Sequence, residues 1–415
     1  MLLIIRQTYS VALLAVILAL PLRVSAELQL NDSRTWRRAK MVAGGQQVWS
    51  FRSSFQKATD RFSNNGRIEP LGDRYARSLT WGEILTAEQS TVRRNEIAQY
   101  MRDQGAGEND VAATSTYELE RQDIGFSVDW AYGLTSRWSI GFQLPLVLRQ
   151  TRVRSDVQMM PALAQSASKV RAMALSSSEL KSKVRELAER QLSSSGFDDI
   201  PEEQQEWTWG DVSLLSQFYL LSTPDWDWSL QQMLRFPSSR NPSVADYFQQ
   251  SSDEGQMDLG LTSLVDYRLK RWVFGARLGY VAQLPDAAKM RAPEESAQID
   301  PKVNRDLGDW IWGAFDVDYR VDSRFLVDIE YAFLAKSADS YSGHSLKAGE
   351  YELLSKDTEQ EVHQTRVGLQ YDLGERSLRR GVENKWIASI GYTYPWIGKN
   401  SADASRTSLE LISYF

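Results

Sequence analysis

The chain has 415 residues, 42% of them hydrophobic and 25% charged, with a formal charge of −6 and no cysteine. No cysteine means no disulfide framework, no thiolate metal site, no cysteine nucleophile and no lipid-acceptor thiol. The acidic balance argues against nucleic acid as a partner.

Residues 1 to 26 read as a secretory signal peptide: Arg6 gives a positive start, Val11 to Leu20 an apolar core, and Val24-Ser25-Ala26 a small-residue cleavage site before Glu27. Its loss, with Arg6 and Arg23, takes the formal charge from −6 to −8. The apolar run is shorter than the roughly 20 residues a spanning helix needs, and no comparable run follows. Residues 27 to 415 are therefore expected to form a single domain without helical membrane spans.

From about residue 40 the dominant pattern is strict alternation, the period-2 signature of strands with two different faces. A weaker first strand is expected near 41 to 57. Clearer ones follow: Ile124, Phe126, Val128, Trp130 and Tyr132; Trp138, Ile140, Phe142 and Leu144; Val212, Leu214, Phe218 and Leu220; Trp228, Leu230, Leu234 and Phe236. The pattern continues through Leu259, Leu261, Val265 and Tyr267; Trp272, Phe274, Ala276, Leu278 and Tyr280; Phe315, Val317 and Tyr319; and Phe325, Val327, Ile329, Tyr331 and Phe333. It closes with Thr365, Val367, Leu369, Tyr371 and Leu373, then Trp386 to Trp396, and a last strand near 404 to 415. About twelve strands result, an even number, as single-chain bacterial barrels require.

Short links at 135 to 137, 223 to 225, 270 to 271 and 322 to 323, and a moderate one near 375 to 383, alternate with long loops. The long ones fall at about 59 to 115, 155 to 206, 238 to 256, 286 to 308 and 336 to 360, with helices expected at 82 to 103 and 177 to 192. Short turns on one side and long loops on the other define an all-β transmembrane barrel of the outer membrane, antiparallel, with periplasmic turns and extracellular loops. The strand after each internal short link opens with an aromatic (Trp138, Trp226, Trp272, Phe325, Trp386), placing one ring per hairpin at one membrane interface. Phe415, with Leu409 and Leu411 on its face, resembles the terminal-strand signal that barrel-assembly machinery reads; Ser413 departs from it.

Turning the charged face outward would cost about 2 to 4 kcal/mol for each mid-plane Arg, so the apolar face meets lipid and lipopolysaccharide. The lumen path is then expected to carry Asp129, Arg277, Asp316, Asp328, Glu330, Arg366 and Glu410, with Trp310 and Trp312 facing inward nearer the outer mouth. These residues either fill and stiffen the interior as ion pairs or line a pore whose two indoles stack on an aromatic solute. By count the acids exceed the bases, which predicts cation preference. No metal motif and no phosphate-binding glycine loop is visible, so neither metal nor cofactor is expected. The acidic run Asp198-Asp199, Glu202-Glu203 reads as solvated loop. Of the two histidines, His344 lies in a loop and His363 near the rim, without a recognisable nucleophile motif around either.

The segments GLTSRWSIGFQLPLVL (133 to 148), GDVSLLSQFYLL (210 to 221), LQQMLRFPSS (230 to 239) and MDLGLTSLVDYRLKRWVFGARLGYV (257 to 281) resemble the outer-membrane transporter family linked to meta-pathway phenol degradation, itself similar to fatty-acid-type channels. That family usually has a Leu-Pro-Thr-Gly-like turn where this chain has Phe236-Pro237-Ser238-Ser239, and fatty-acid channels carry a longer plugging segment than the residues 27 to 40 before the first strand here. The resemblance implies a non-enzymatic channel passing small solutes, aromatic or amphipathic ones among them, by passive diffusion. The alternatives are a non-conducting barrel whose loops bind a surface partner, and a rim-located lipid hydrolase built on His363.

Overall fold

The computed structural model describes residues 34–87, 90–103, 105–159, 202–239, 244, 255–292, 298–373 and 385–415. The expected signal peptide, the expected helix at 177 to 192 and the link at 375 to 383 lie outside them.

Twelve antiparallel strands make the wall. In chain order they are β1 (Gln47–Ala58), β2 (Val111–Thr135), β3 (Trp138–Met159), β4 (Val212–Ser222), β5 (Trp226–Phe236) and β6 (Asp258–Leu269). The second half is β7 (Trp272–Gln283), β8 (Trp310–Arg320), β9 (Phe325–Lys336), β10 (Gln360–Asp372), β11 (Lys385–Lys399) and β12 (Arg406–Tyr414). Each pairs with its successor, and β1 pairs with β12 from Val48↔Tyr414 to Gln56↔Arg406, closing the ring. Closure leaves the wall no unpaired edge, which is what lets strands cross lipid. No helix among the described residues is long and apolar enough to do so.

Alternation sorts the two faces. Along β9, Asp328, Glu330, Ala332, Leu334 and Lys336 are buried, while Ile329 and Tyr331 are exposed outward. The aromatics that open β5, β7 and β9 each meet a tyrosine on the neighbouring strand: Trp226 with Tyr267, Trp272 with Tyr319 and Phe325 with Tyr371, at ring separations of 4.5, 4.4 and 4.8 Å. This repeated pair forms a belt at the short-turn end, where amphipathic rings suit the lipid–water boundary.

Ser413, the residue that departs from the terminal-strand pattern, is 0% exposed and stands in register between Trp49 and Trp386. A small side chain there leaves room for two flanking indoles.

The first strand begins at Gln47 rather than near 41, because Gly44 forms an isolated bridge to Gly133 and Gly45 adopts a φ of +82°, which ends any extended run. β2 and β3, at 25 and 22 residues, exceed every other strand. β1 accompanies β2 no further than Arg121, so the hairpin continues past the outer rim. There it is flanked by Arg77–Thr80 on β2 and Glu203–Trp209 on β3. The single helix expected at 82 to 103 is two helices, Trp81–Ala87 and Thr91–Asp103. The loop expected at 286 to 308 is a hairpin, Asp286–Arg291 paired with Ile299–Asp306.

Two of the segments that carry the family resemblance are tied together. The Asp211 carboxylate accepts the backbone N–H groups of Ser238 at 2.9 Å and Ser239 at 2.8 Å. The Ser238 hydroxyl donates to the Gly210 carbonyl at 3.0 Å and accepts from the Val212 N–H at 2.8 Å. Ser238 and Ser239 thus supply the donors that hold the outer ends of β4 and β5 together.

Candidate functional site, the occupied lumen

All nine residues singled out from the sequence stand on the inner face and are buried. They fall into three groups. Arg277, Asp316, Asp328, Glu330 and Arg366 belong to one ionic layer on β7 to β10, where Arg277 meets Glu330 at 2.5 Å and Arg366 pairs with Asp328. Asp129 and Glu410 lie across the barrel beside β1: Asp129 is in register with Ser50, whose hydroxyl donates to Glu410 at 2.6 Å. Trp310 and Trp312 form an apolar layer nearer the long loops, with Val281, Ala314, Ala332 and Leu334.

The sequence reading missed what fills the space between these groups. A single helical turn, Arg34–Arg37, and the residues to Val42 run inside the barrel ahead of β1, and Ala43 to Gln46 lead out, exposed, beside Gly133 at the short-turn end. Trp36 is 1% exposed and packs with Val48, Ala131, Leu215 and Ile412 on β1, β2, β4 and β12. Its seat exists because residue 141 lacks a side chain: a Cβ on Gly141 would lie 2.3 Å from the indole.

The next two residues reach the opposite wall. Arg37 lies 3.2 Å from Glu330 and 3.6 Å from Asp328. Arg38 lies 3.2 Å from Asp266 and 2.6 Å from Asp316, and also pairs with Asp318. The backbone is held too: the Gln231 amide donates to the Trp36 carbonyl at 3.1 Å, and the Gln217 amide to the carbonyls of Arg38 and Ala39 at 2.9 and 3.1 Å. The Ala39 N–H donates to Asp266 at 3.1 Å and the Met41 N–H to the Tyr219 hydroxyl at 2.9 Å.

The segment ahead of the first strand is shorter than the plugging segment of fatty-acid channels, yet its Trp-Arg-Arg triplet fills the lumen because one indole and two guanidinium groups span the interior. Beside the expected charged residues and two indoles, the inner face also carries buried Leu215, Leu264, Val281 and Leu334, which no reading of the charged parity singled out. The signal that could have revealed the segment is a charge mismatch. The inner parity of β6, β8 and β9 carries Asp266, Asp316, Asp318, Asp328 and Glu330, and Arg37-Arg38 immediately precedes the first strand.

Each lumen indole has a cation from the wall beside it: Arg277 lies 5.8 Å from the Trp312 ring centre and the Lys336 ammonium 5.9 Å from that of Trp310, at the outer limit of cation–π attraction. His363 lies on the lipid-facing side. One ring nitrogen is 2.7 Å from the Tyr331 hydroxyl and the other 2.8 Å from Glu361. No cluster of metal-ligating side chains occurs among the described residues.

This arrangement defines an outer-membrane β-barrel whose interior is occupied by its own N-terminal segment. No family model matches the chain, and no curated protein matches it. Among solved structures it is similar to an outer-membrane channel of Pseudomonas putida F1, with 11% identity and a TM-score of 0.53 over 94% of this chain and 100% of that one. The likeness is one of fold. The CymD monoaromatic hydrocarbon channel (10% identity, TM-score 0.32, 90% of this chain and 88% of that one) and the Ralstonia pickettii toluene transporter TbuX (10%, 0.34, 91% and 90%) also align, at scores too low to bear on the fold.

Proposed function

We propose that the protein is an outer-membrane uptake channel through which small solutes, aromatic or amphipathic ones among them, diffuse passively. The path runs past Trp310 and Trp312 and between the ionic layer of Arg277, Asp316, Asp328, Glu330 and Arg366 and the facing pair Asp129 and Glu410, and the segment from Trp36 to Val42 is its gate. The observation that carries this reading is that a non-strand segment, rather than wall side chains, takes up the middle of the lumen. From Trp36 to Met41 it is held by one aromatic seat, ion pairs and side-chain hydrogen bonds to its backbone, all of which can be exchanged without unpairing a strand. Lipid and lipopolysaccharide would surround the wall, and the assembly machinery would take up the chain at Phe415.

The test is conductance in planar bilayers of the full chain and of a Trp36→Ala, Arg37→Gln, Arg38→Gln variant. The variant is expected to conduct more than the full chain and to prefer cations, since the wall acids lose two counter-charges. If neither conducts, the barrel is non-conducting and its loops become the site of interest. Phospholipid hydrolysis by the full chain that disappears in His363→Ala would instead favour an enzyme at the rim.

A further inference from the structure

We propose that the recess held by Trp36, Arg37 and Arg38 is a solute site for amphipathic cations, in which an apolar or aromatic body carries an amidine, guanidine or amine. This rests on the reading of the lumen as a solute path, and names the class of solute that path admits. In the structure the chain's own Trp-Arg-Arg triplet stands in that site as a self-ligand.

The charge of the occupant follows from the wall. Asp266, Asp316, Asp318, Asp328 and Glu330 are all buried, and the wall sets Arg277 and Arg366 against them. Arg37 and Arg38 supply the remaining positive charge. Buried carboxylates deprived of counter-charge are strongly unfavourable, so whatever displaces the segment must bring positive charge with it. A neutral or anionic molecule would leave the acids uncompensated.

The body of the occupant follows from the apolar surface beside those acids. The Trp36 seat continues without interruption through Met233, which packs both against that cluster and against the cluster of Val281, Trp310, Trp312 and Leu334. An independent sign of a missing partner lies on this surface. Trp310 faces inward and is 4% exposed, and its indole N–H has no acceptor among the described residues. An unsatisfied buried donor is costly, and an acceptor atom on a bound solute would relieve it.

Benzamidine, benzamide, benzoate and the guanidinium ion separate these requirements, because the first three share one ring and differ in charge while the last has charge without a ring. The readout is backbone hydrogen exchange of the segment 34–46 in the detergent-folded full chain, measured by mass spectrometry. Benzamidine at ten times its apparent Kd is expected to speed exchange about ten-fold by competing the segment out of its seat. Guanidinium should act more weakly, and benzamide and benzoate not at all. Asp316→Asn, Asp318→Asn should abolish the benzamidine response; if that protein fails to show a heat-modifiable folded band, Asp318→Asn alone should weaken it.

Equal effects of benzamidine, benzamide and benzoate, or no effect of benzamidine up to its solubility, would overturn the proposal. Conductance of the segment-emptied variant is a separate measurement. A conducting variant with no benzamidine response refutes the cation site and leaves the channel standing, and a benzamidine response without conductance does the reverse.

Discussion

Trp36 shows how much one side chain contributes when nothing else can take its place. Its indole is the apolar end of a segment otherwise held by charges, and it fits against Gly141, where any Cβ would collide with it. Trp36→Ala removes a packing contribution of about 3 to 5 kcal/mol, most of it from the seating of the segment rather than from the wall. The expected result is a barrel with unchanged heat-modifiable mobility whose residues 34–46 become cleavable by added protease; a segment still resistant would mean that the ion pairs and the hydrogen bonds to its backbone hold it without the indole. This residue was not legible from alternation, because it lies outside any strand. Arg277, Asp316, Asp328, Glu330 and Arg366 were legible, because strand parity fixes the side on which a residue stands, though not the residue it meets there.

Among the elements, the hairpin formed by Asp286–Arg291 and Ile299–Asp306 shows why loops resist sequence reading. Its order comes from partners far along the chain: Ser340–Ser342 extends it, and the helix Ala348–Ser355 docks Tyr351 against Ala292, Val303 and Leu346. At the junction the Asp300 carboxylate accepts the Tyr351 hydroxyl and the backbone N–H groups of Lys302, Ser345 and His344. These bonds, the Tyr351 hydroxyl first among them, hold Asp300 well below the ordinary carboxylate range.

A carboxyl depressed in the folded state adds stability above its unfolded pKa of about 4, and that stability is lost as pH falls through the folded value. Tyr351→Phe should therefore raise the Asp300 pKa and move the acid loss of loop order to higher pH, leaving order near pH 7 weaker. Exchange protection of residues 299–306, followed from neutral to strongly acidic pH, checks this; coincident profiles for the two proteins would rule out the bond as a determinant. Sequence showed only a long link here, since no local pattern pairs Asp300 with a tyrosine 51 positions away.

At the scale of the whole molecule the ring is only as secure as its seam. Gln47 and Phe415 exchange two backbone hydrogen bonds, at 3.1 and 3.0 Å, that form the last rung between β1 and β12. The Phe415 ring meets that of Trp386 at 6.4 Å. Deleting Phe415 removes that rung and that aromatic contact, which together come to roughly 1 to 4 kcal/mol. The deleted chain should lose its folded gel band at a lower temperature and insert poorly into the outer membrane. Wild-type insertion would mean that Phe415 is incidental to assembly. Barrel class, strand number and the two faces were all readable in advance, because closed pairing in lipid imposes one repeating pattern on every strand. The contents of the lumen were not, because they answer to a sum of charges over strands far apart in sequence.

The Trp-Arg-Arg segment also sets an order of events. Its indole needs β1, β2, β4 and β12 in place, and its guanidinium groups need β6, β8 and β9, with Arg38 bonded to a residue 228 positions later. Contacts of such separation form only after the intervening chain is organised. The first described residues to be synthesised are thus the last to find their place, and a barrel stalled with its seam open would leave them outside, within reach of periplasmic proteases.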